Sequence, residues 1–217
     1  MQLVSYLKLG FIILLTFVCL SIISIWLFDR QLALWIYPHD FGQWHILNNI
    51  TEHGLVVIGI CYLLILGLIP INPKFDNRIF LIIYLIIFVY LTLWVNNKLK
   101  IMFGRDWVNT WSGSHQSLLH NNVFQFNFFK YKNWRGSFPS GHMALISVMS
   151  MSMYLIYLRY KCLWLIPILI MAISLILQNY HFLGDILSGI ALGSFLAYYS
   201  LALYLLIKKI IQKMLCS

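Results

Sequence analysis

Acidic residues, and charge of either sign, are scarce in this chain. Asp and Glu together supply only six of its 217 residues, charged residues make up 10%, and hydrophobic residues make up 61%. A soluble domain of this length needs far more polar side chains to cover its surface, so the composition excludes an ordinary soluble enzyme. The mean hydropathy of +0.83 indicates instead an integral membrane protein.

The chain also lacks the cysteine patterns of a disulfide framework or of a cysteine metal site. Its four cysteines lie in or beside apolar runs and show no paired spacing, so we expect them to act as small hydrophobic side chains. No small-x-small cleavage site follows Ile25, and the first apolar run is too long for a cleaved signal peptide. We therefore expect this run to be retained as a membrane helix.

What the chain does contain is six apolar runs, each close to the length that a bilayer requires. The predicted spans are Leu9–Phe28, Gly54–Ile71, Ile79–Val95, Met143–Leu158, Leu163–Leu177 and Ile186–Ile207. We predict an all-α fold, in which a bundle of six transmembrane helices forms a single domain, residues 1–217. A short amphipathic helix is expected within residues 31–53, and a long extracytoplasmic loop at about residues 96–140 joins the third and fourth spans.

The distribution of Lys and Arg predicts the orientation of these helices. With the N-terminus in the cytoplasm, eight basic residues fall on the inner side, and only Arg30 falls outside when the long loop is left aside. This bias places both termini in the cytoplasm. The long loop breaks the rule with six basic residues outside, which indicates that these charges have a function. We assign the net charge of +9 to orientation and anionic lipids rather than to nucleic acid.

A first chemical motif lies where the long loop ends and the fourth span begins, at residues 137–142. Ser140 is a typical helix cap, and Pro139 is typical of a first helical turn. The backbone N–H groups of Gly141 and His142 would then form an anion site at the positive end of the helix dipole. The motif therefore predicts a phosphate site with an imidazole beside it.

A second motif, His181-x-x-x-Asp185, places a carboxylate one helical turn from an imidazole. Because an even number of spans separates the motifs, His142 and His181 are expected on the same side of the membrane. Lys98 and Arg105, seven residues apart, would lie on one face of a helix leaving the third span. Two histidines, a carboxylate and cations together predict phosphoryl transfer.

In their order and spacing, three motifs resemble those of the integral membrane branch of the type 2 phosphatidic acid phosphatase superfamily. They are Lys98-x6-Arg105, Pro139-Ser140-Gly141-His142 and His181-x3-Asp185. The motif regions cover about half of the chain. The resemblance implies a metal-independent phosphatase that needs no cofactor and acts on a lipid phosphate or diphosphate.

The resemblance also implies a role for each motif residue. His181 would attack phosphorus and form a phosphohistidine, while Asp185 fixes its tautomer and stabilises the imidazolium. His142 would protonate the leaving oxygen and then activate water. The residues expected to bind the phosphate are Lys98, Arg105, Ser140 and Gly141.

Two positions depart from the family pattern. Asp106 stands where the family has Pro, and Leu175 stands where the third motif has an Arg, so one phosphate-binding guanidinium is absent. Our hypothesis is that Arg135 replaces it, and Lys100 and Lys132 are the other candidates. Otherwise the phosphate is held more weakly, or the chain is an impaired enzyme that acts as a lipid-phosphate binder or transporter.

Three other functions fit parts of the sequence. A serine hydrolase using Ser140 would lack the Gly-x-Ser-x-Gly elbow, because Phe138 and His142 occupy the glycine positions. A transporter or scaffold would show broken spans with mid-membrane charge or inverted repeats, and neither is visible. A metal site built from His142, His181 and Asp185 would be revealed by metal in the purified protein and by sensitivity to chelators.

The expected location is a bacterial-type inner membrane, with the active site facing the periplasm or exterior. The expected partners are a lipid phosphate substrate and membrane lipids. Candidate substrates are undecaprenyl diphosphate, phosphatidylglycerol phosphate, phosphatidate and a lipid A phosphate. All four remain candidates, because selectivity for the headgroup depends on how the long loop folds. The sequence leaves the oligomeric state open.

Overall fold

The structure, a computed structural model, describes residues 2–71, 77–110, 116–129, 136–157 and 160–215. Within these ranges the chain forms eight α-helices and no β-strand, although isolated β-bridges join Arg105 to Phe126 and Trp107 to Ser117. The helices are α1 (Gln2–Leu27), α2 (Asp29–Ile36), α3 (His45–Leu68), α4 (Arg78–Phe103), α5 (Leu118–Asn121), α6 (Gly141–Ile156), α7 (Lys161–Leu177) and α8 (Leu183–Leu215). The predicted all-α class is confirmed for the described residues.

Four of these helices are long and apolar enough to cross a membrane. They are Leu3–Leu27, His45–Leu68, Arg78–Phe103 and Leu183–Met214, and they correspond to the first, second, third and sixth predicted spans. The fourth and fifth predicted spans are occupied by α6 and α7. These have only 16 and 17 residues, which is short of the roughly 20 that a bilayer requires. The count of six spans therefore stays a prediction.

Two helices extend beyond their predicted limits towards the same end of the bundle. α3 begins at residue 45 instead of 54, and α4 ends at residue 103 instead of 95. The added turns carry polar residues that hydropathy assigns to loops, but Thr51, Asn96 and Lys100 are buried against other parts of the chain. The long loop therefore begins at Gly104 rather than near residue 96.

α6 is the central helix, and most of its residues are buried. α8 packs between α6 and α1, and its Gly189-x-x-x-Gly193 sequence allows a close approach to α6. A Cβ added at Gly189 would lie 2.6 Å from the carbonyl oxygen of Ser140. This packing brings the N-terminal ends of α6 and α8 together, where the Ser140 N–H donates to the carbonyl oxygen of Asp185 at 2.9 Å.

The outward faces of the long helices are covered by large apolar side chains. Trp26, Leu68 and Ile79 are 82%, 78% and 74% exposed. Such continuous apolar surface is suited to lipid rather than to water. Together with the four long apolar helices, it supports an integral membrane protein.

Candidate active site

The two motif histidines lie side by side at one end of the bundle. His142 is in the first turn of α6, and His181 is in the turn between α7 and α8. Their ring centroids are 6.5 Å apart and their planes are inclined by 66°. The expected convergence of the two imidazoles is thus found in the structure, because α6 and α8 begin at the same end of the bundle.

His181 is held by the carboxylate predicted to orient it. Its Nδ1 lies 3.3 Å from Oδ2 of Asp185, and the backbone N–H of Phe182 donates to the same oxygen at 3.3 Å. Burial lowers the pKa of His181 below its usual 6.5, although the hydrogen bond with Asp185 acts in the opposite direction. The imidazole is therefore neutral at neutral pH. With its Nδ1 proton directed to Asp185, its Nε2 carries the lone pair.

Arg105 lies just beyond α4, after Gly104 has ended that helix in the left-handed conformation with a φ of 53°. Its guanidinium donates to Oδ1 of Asp185 at 2.6 Å and to Oδ2 of Asp29 at 2.7 Å. Because α4 ends before Arg105, the prediction that Lys98 and Arg105 share one helical face is wrong. Phosphate binding by Arg105 stays a prediction, and its observed partners are two carboxylates.

Asp29, the first residue of α2, is a site residue that the sequence analysis did not identify. The sequence offered a weak signal, because an acidic residue that follows an apolar run at a membrane boundary is costly without a partner. The side chain is buried, which is rare for an unpaired carboxylate. Its partner Arg105 is 76 residues away in the chain, so no local pattern could have identified the pair.

Lys98 and Lys100 have different environments on α4. Lys98 is exposed, and its Nζ lies 5.8 Å from the ring centroid of Trp94. Lys100 is buried, and its Nζ donates to the carbonyl oxygen of Gly136 at 3.1 Å. After burial, the charge of Lys100 is a further cause of the lowered pKa of His181. The structure therefore places Lys100 near the histidines, while phosphate binding by Lys98 stays a prediction.

Ser140 caps α6 as predicted. Its Oγ accepts a hydrogen bond from the N–H of Met143 at 3.4 Å. The helix begins at Gly141, so Pro139 precedes the cap and does not lie in the first turn, contrary to the prediction. The first amide groups of α6, including that of Gly141, have no acceptor within the helix. Their use as an anion site stays a prediction.

Aromatic side chains lie against His181, and a cavity borders His142. Trp107 and Tyr180 each have a ring centroid 5.4 Å from that of His181, and the Nζ of Lys100 lies 4.8 Å from the Trp107 centroid. His142 borders a cavity of about 250 Å³. The other lining residues of this cavity are Asn48, Thr51, Glu52, Gln178 and Tyr180. The cavity is large enough for part of a polar headgroup.

The position of the absent third-motif arginine lies in the apolar core. The side chain of Leu175 has no exposed surface and belongs to the main hydrophobic cluster, while its carbonyl oxygen accepts from the N–H of Tyr180 at 2.9 Å and from that of His181 at 3.4 Å. Arg135 and Lys132, two of the candidates to replace it, lie outside the described residues. Of the three candidates, Lys100 is the one for which the structure shows a position.

Asp106, which stands where the family has Pro, connects two parts of the long loop. Its carboxylate accepts from the N–H of Gln125 at 3.2 Å and from the side-chain amide of Asn127 at 3.1 Å. The Oγ of Ser137 donates to its backbone carbonyl at 2.9 Å. These bonds fix the loop around the neighbouring Arg105, and the N–H that Pro would lack donates to the Gln125 carbonyl at 3.1 Å.

Comparison with known protein families matches residues 79–209 to the PAP2 superfamily. The matched stretch comprises 131 of the 217 residues and contains all three motifs, but it does not include Asp29. No curated protein and no solved structure matches the chain. The match agrees with the resemblance drawn from the order and spacing of the motifs.

Proposed function

Because the chain belongs to the PAP2 superfamily, that of the type 2 phosphatidic acid phosphatases, we propose that it is a membrane phosphatase acting on a lipid phosphate or diphosphate. Family membership supports phosphatase activity on phosphate esters in general. The observation that carries the finer proposal is the pair His142 and His181, with ring centroids 6.5 Å apart. At this separation both imidazoles can contact one phosphoryl group, and Asp185 is hydrogen-bonded to the second of them.

In the first step of the proposed reaction, Nε2 of His181 attacks phosphorus. A nitrogen–phosphorus bond forms, and the bond from phosphorus to the leaving oxygen breaks. In the free protein, burial and the charges of His181 and Lys100 lower the pKa of His142 to about 4, so the proposal requires the bound phosphate dianion to raise that pKa and protonate the ring. The resulting imidazolium donates its proton to the leaving oxygen, which leaves as a neutral hydroxyl. Asp185 stabilises the positive charge that develops on the phosphorylated ring of His181.

In the second step a water molecule replaces the leaving group. The now neutral His142 takes a proton from this water as its oxygen attacks phosphorus. The nitrogen–phosphorus bond breaks, inorganic phosphate leaves, and His181 returns to its neutral form. Both histidines then have their starting protonation states, so the cycle is balanced without a metal or a redox partner.

The charge on the phosphoryl oxygens needs cationic and N–H partners, which supply most of the catalysis in phosphoryl transfer. We assign this role to Lys100, to the Gly141 N–H and to Ser140, together with Arg135 as the substitute for the absent third-motif arginine. The burial of Lys100 and its effect on the pKa of His181 support its inclusion. Lys98, which is exposed, is the alternative lysine.

The cavity beside His142 supports an assignment of the leaving group. Since His142 is the proposed acid, the headgroup oxygen that it protonates would lie in this space of about 250 Å³. The hydrocarbon chains would remain against the exposed apolar faces of the long helices. We place the reaction at the outer face of a bacterial-type inner membrane, with both termini in the cytoplasm.

The decisive test is phosphate release by the purified protein from a panel of lipid phosphates and diphosphates in detergent. We expect no activity in His181→Ala and a fall of about 10²- to 10⁴-fold in His142→Ala. His45→Ala, a change at an exposed histidine, serves as the control and should retain wild-type turnover. Unchanged turnover in either motif variant, with folding retained, would defeat the assignment. Binding of lipid phosphate without turnover would support the impaired-enzyme alternative.

Metal independence is tested in the same assay. The described residues contain no group of three His, Cys, Asp or Glu side chains placed to hold a metal ion. We expect turnover to survive excess EDTA and to remain unchanged when divalent cations are restored. Loss of activity with EDTA that a divalent cation reverses would replace the proposed mechanism with a metal-assisted one.

The cation assignment is tested by matched substitutions. Lys100→Met should raise KM or lower kcat by at least about tenfold, because one charge-assisted contact to the phosphate is lost. Lys98→Met, two residues away on the same helix, is its matched comparison, and an equal loss there would favour the alternative lysine. If Arg135→Ala leaves both turnover and phosphate affinity intact, Arg135 does not replace the absent arginine.

A further inference from the structure

The buried carboxylate of Asp29 lies next to the proposed catalytic residues but has no part in the proposed reaction. We infer that Asp29 is a positioning residue, which acts through Arg105 to keep Asp185 negatively charged and directed at His181. The inference rests on the proposed function, because it concerns the charge that His181 acquires. It assigns a role to a residue that lies outside the stretch matched to the family, residues 79–209.

The carboxylate of Asp29 accepts hydrogen bonds from Arg105, from the start of α8 and from the end of α1. Its Oδ2 accepts from Arg105 at 2.7 Å. Its Oδ1 accepts from the backbone N–H of Gly184 at 2.8 Å and from the Oγ of Ser24 at 2.5 Å. Gly184 immediately precedes Asp185, so one carboxylate fixes both the guanidinium and the first turn of the helix that carries the proposed catalytic carboxylate.

The approach of Asp29 to α8 requires a glycine at this position. A Cβ at Gly184 would lie 2.7 Å from Oδ2 of Asp29 and 2.7 Å from Cγ1 of Ile25. The Oγ of Ser21 donates to the Gly184 carbonyl at 2.8 Å, so α1 also contacts this turn. The end of α1 and the start of α2 are therefore fitted to the start of α8.

The charge of the cluster explains why a carboxylate is needed there. If Arg105 were paired with Asp185 alone, the pair would be neutral, and Asp185 would attract a positive imidazole only weakly. With Asp29 also bonded to Arg105, the three side chains carry one net negative charge. That charge is balanced when His181 becomes positive in the transition state, in a buried site where charges interact strongly. Asp29 thus supplies the charge that Arg105 would otherwise remove.

Charged and titratable groups from several parts of the chain surround His181 and set its pKa. Lys100 and Arg105 lower its pKa, and Asp185 raises it. The rings of His142 and Tyr180 also face it. Removal of the negative charge of Asp29 should therefore lower the pKa of His181 further. A change that only loosened the fold would not have this effect.

The test is the pH dependence of kcat and KM for Asp29→Asn in the full-length protein. We expect kcat to fall about 10- to 100-fold, the range found for partners that orient a metal-bound histidine, with KM within about threefold of wild type. The acid limb of kcat/KM should move to lower pH. Ser21→Ala, which removes a hydrogen bond at the same helix junction without touching Asp29, is the matched control and should leave the limb in place.

A kcat within twofold of wild type would overturn the inference, and so would a fall in kcat without a shift of the limb. If Asp29→Asn does not fold, Asp29→Ala is assayed with sodium formate against sodium chloride at equal ionic strength. Formate should then raise the kcat of Asp29→Ala and leave that of the wild type unchanged. Absence of rescue, or failure of both variants to fold, would assign Asp29 to folding alone. An inactive wild type would instead reject the proposed function, so the two failures are distinguishable.

Discussion

Two buried polar networks connect the first part of the chain to the part matched to the family, and they differ in charge. In the ionic network, Arg105 joins Asp29 of α2 to Asp185 of α8. In the neutral network, the side-chain amide of Gln178 donates to Thr51 Oγ1 of α3 at 2.7 Å. It also donates to the carbonyl oxygen of Leu47 at 3.0 Å. Both networks cross between helices that are far apart in sequence.

The difference shows where this protein places buried charge. The neutral network lies beside α7, where the family carries an arginine and this chain has Leu175, and it joins helices without charge. The ionic network ends on Asp185, beside the ring of His181, which is proposed to become positive when it is phosphorylated. Burial of ions is costly and often adds little stability, so an ionic cluster at this point is better explained by the reaction than by folding.

Disruption of the ionic network should have the largest effect on the stability of the fold. Arg105→Met leaves two buried carboxylates without their cation, which costs about 3–5 kcal/mol when one partner of a buried ion pair is removed. We expect a large fall in the thermal unfolding midpoint in detergent and in the yield of folded protein. The control is Arg30→Gln, at an exposed position that bonds Asn122 at 3.2 Å, which should change stability by at most about 0.5 kcal/mol. Equal midpoints for Arg105→Met and wild type would contradict the presence of a buried ion-pair network around Arg105.

Restoration of the family arginine at position 175 should also lower the stability of the protein. Leu175→Arg would bury a charge in the apolar core, at a position with no exposed surface, and we expect a cost of about 3 kcal/mol or more. Leu175→Met, which keeps a similar volume, should cost less than about 1.5 kcal/mol. Higher phosphatase turnover in Leu175→Arg, with stability retained, would show that this region does belong to the phosphate site.

Disruption of the neutral network should cost less and should leave the chemistry unchanged. Gln178→Leu removes the amide, but Thr51 and Ser174 still bond each other at 3.1 Å, so few groups are left without partners. We expect a loss of about 1 kcal/mol in unfolding free energy and no shift in the acid limb of kcat/KM. The exposed Gln31→Leu is the control. A shift of the limb in Gln178→Leu would remove the distinction between the two networks.

The smallest effect near neutral pH is expected from a change of pH on the unmodified protein. The lowered pKa of His181 means that the neutral nucleophile persists below pH 6.5, and that kcat/KM falls only once the pH passes the lowered value. Below that point kcat/KM should fall about tenfold per pH unit if His181 alone controls the limb. A pH–rate profile measures this directly. An acid limb above 6.5 would contradict the assignment of His181 as a nucleophile kept neutral by burial.

Sequence reasoning succeeded where the signal was local or periodic. The long apolar runs gave the all-α class, and Ser140 was identified as a cap from its position before an apolar helix. The family followed from the order of three short motifs. The convergence of His142 and His181 could be expected because an even number of runs separates them.

The remaining features depend on contacts that local patterns do not contain. The exposed Lys98 and the buried Lys100 are two residues apart on one helix, and only the packing of α4 distinguishes their environments. The end of α4 at Gly104 was missed because the buried Asn96 and Lys100 resemble loop residues in a hydropathy count. Asp29 was missed because its role depends on an arginine far away in the chain.

The position of Asp29 has a consequence for engineering. The stretch that defines the family cannot be transplanted as a self-sufficient module, since its buried arginine takes one of its two counter-ions from a helix encoded before that stretch begins. A chimera that joins residues 79–209 to the leading helices of another protein would already carry Arg105 and Gly184, but those helices would need an acid at the depth of Asp29 to meet them. Compatibility at that junction, and at the contact of Gln178 with Thr51 and Leu47 of α3, should matter more than overall similarity in deciding which exchanges yield a working enzyme.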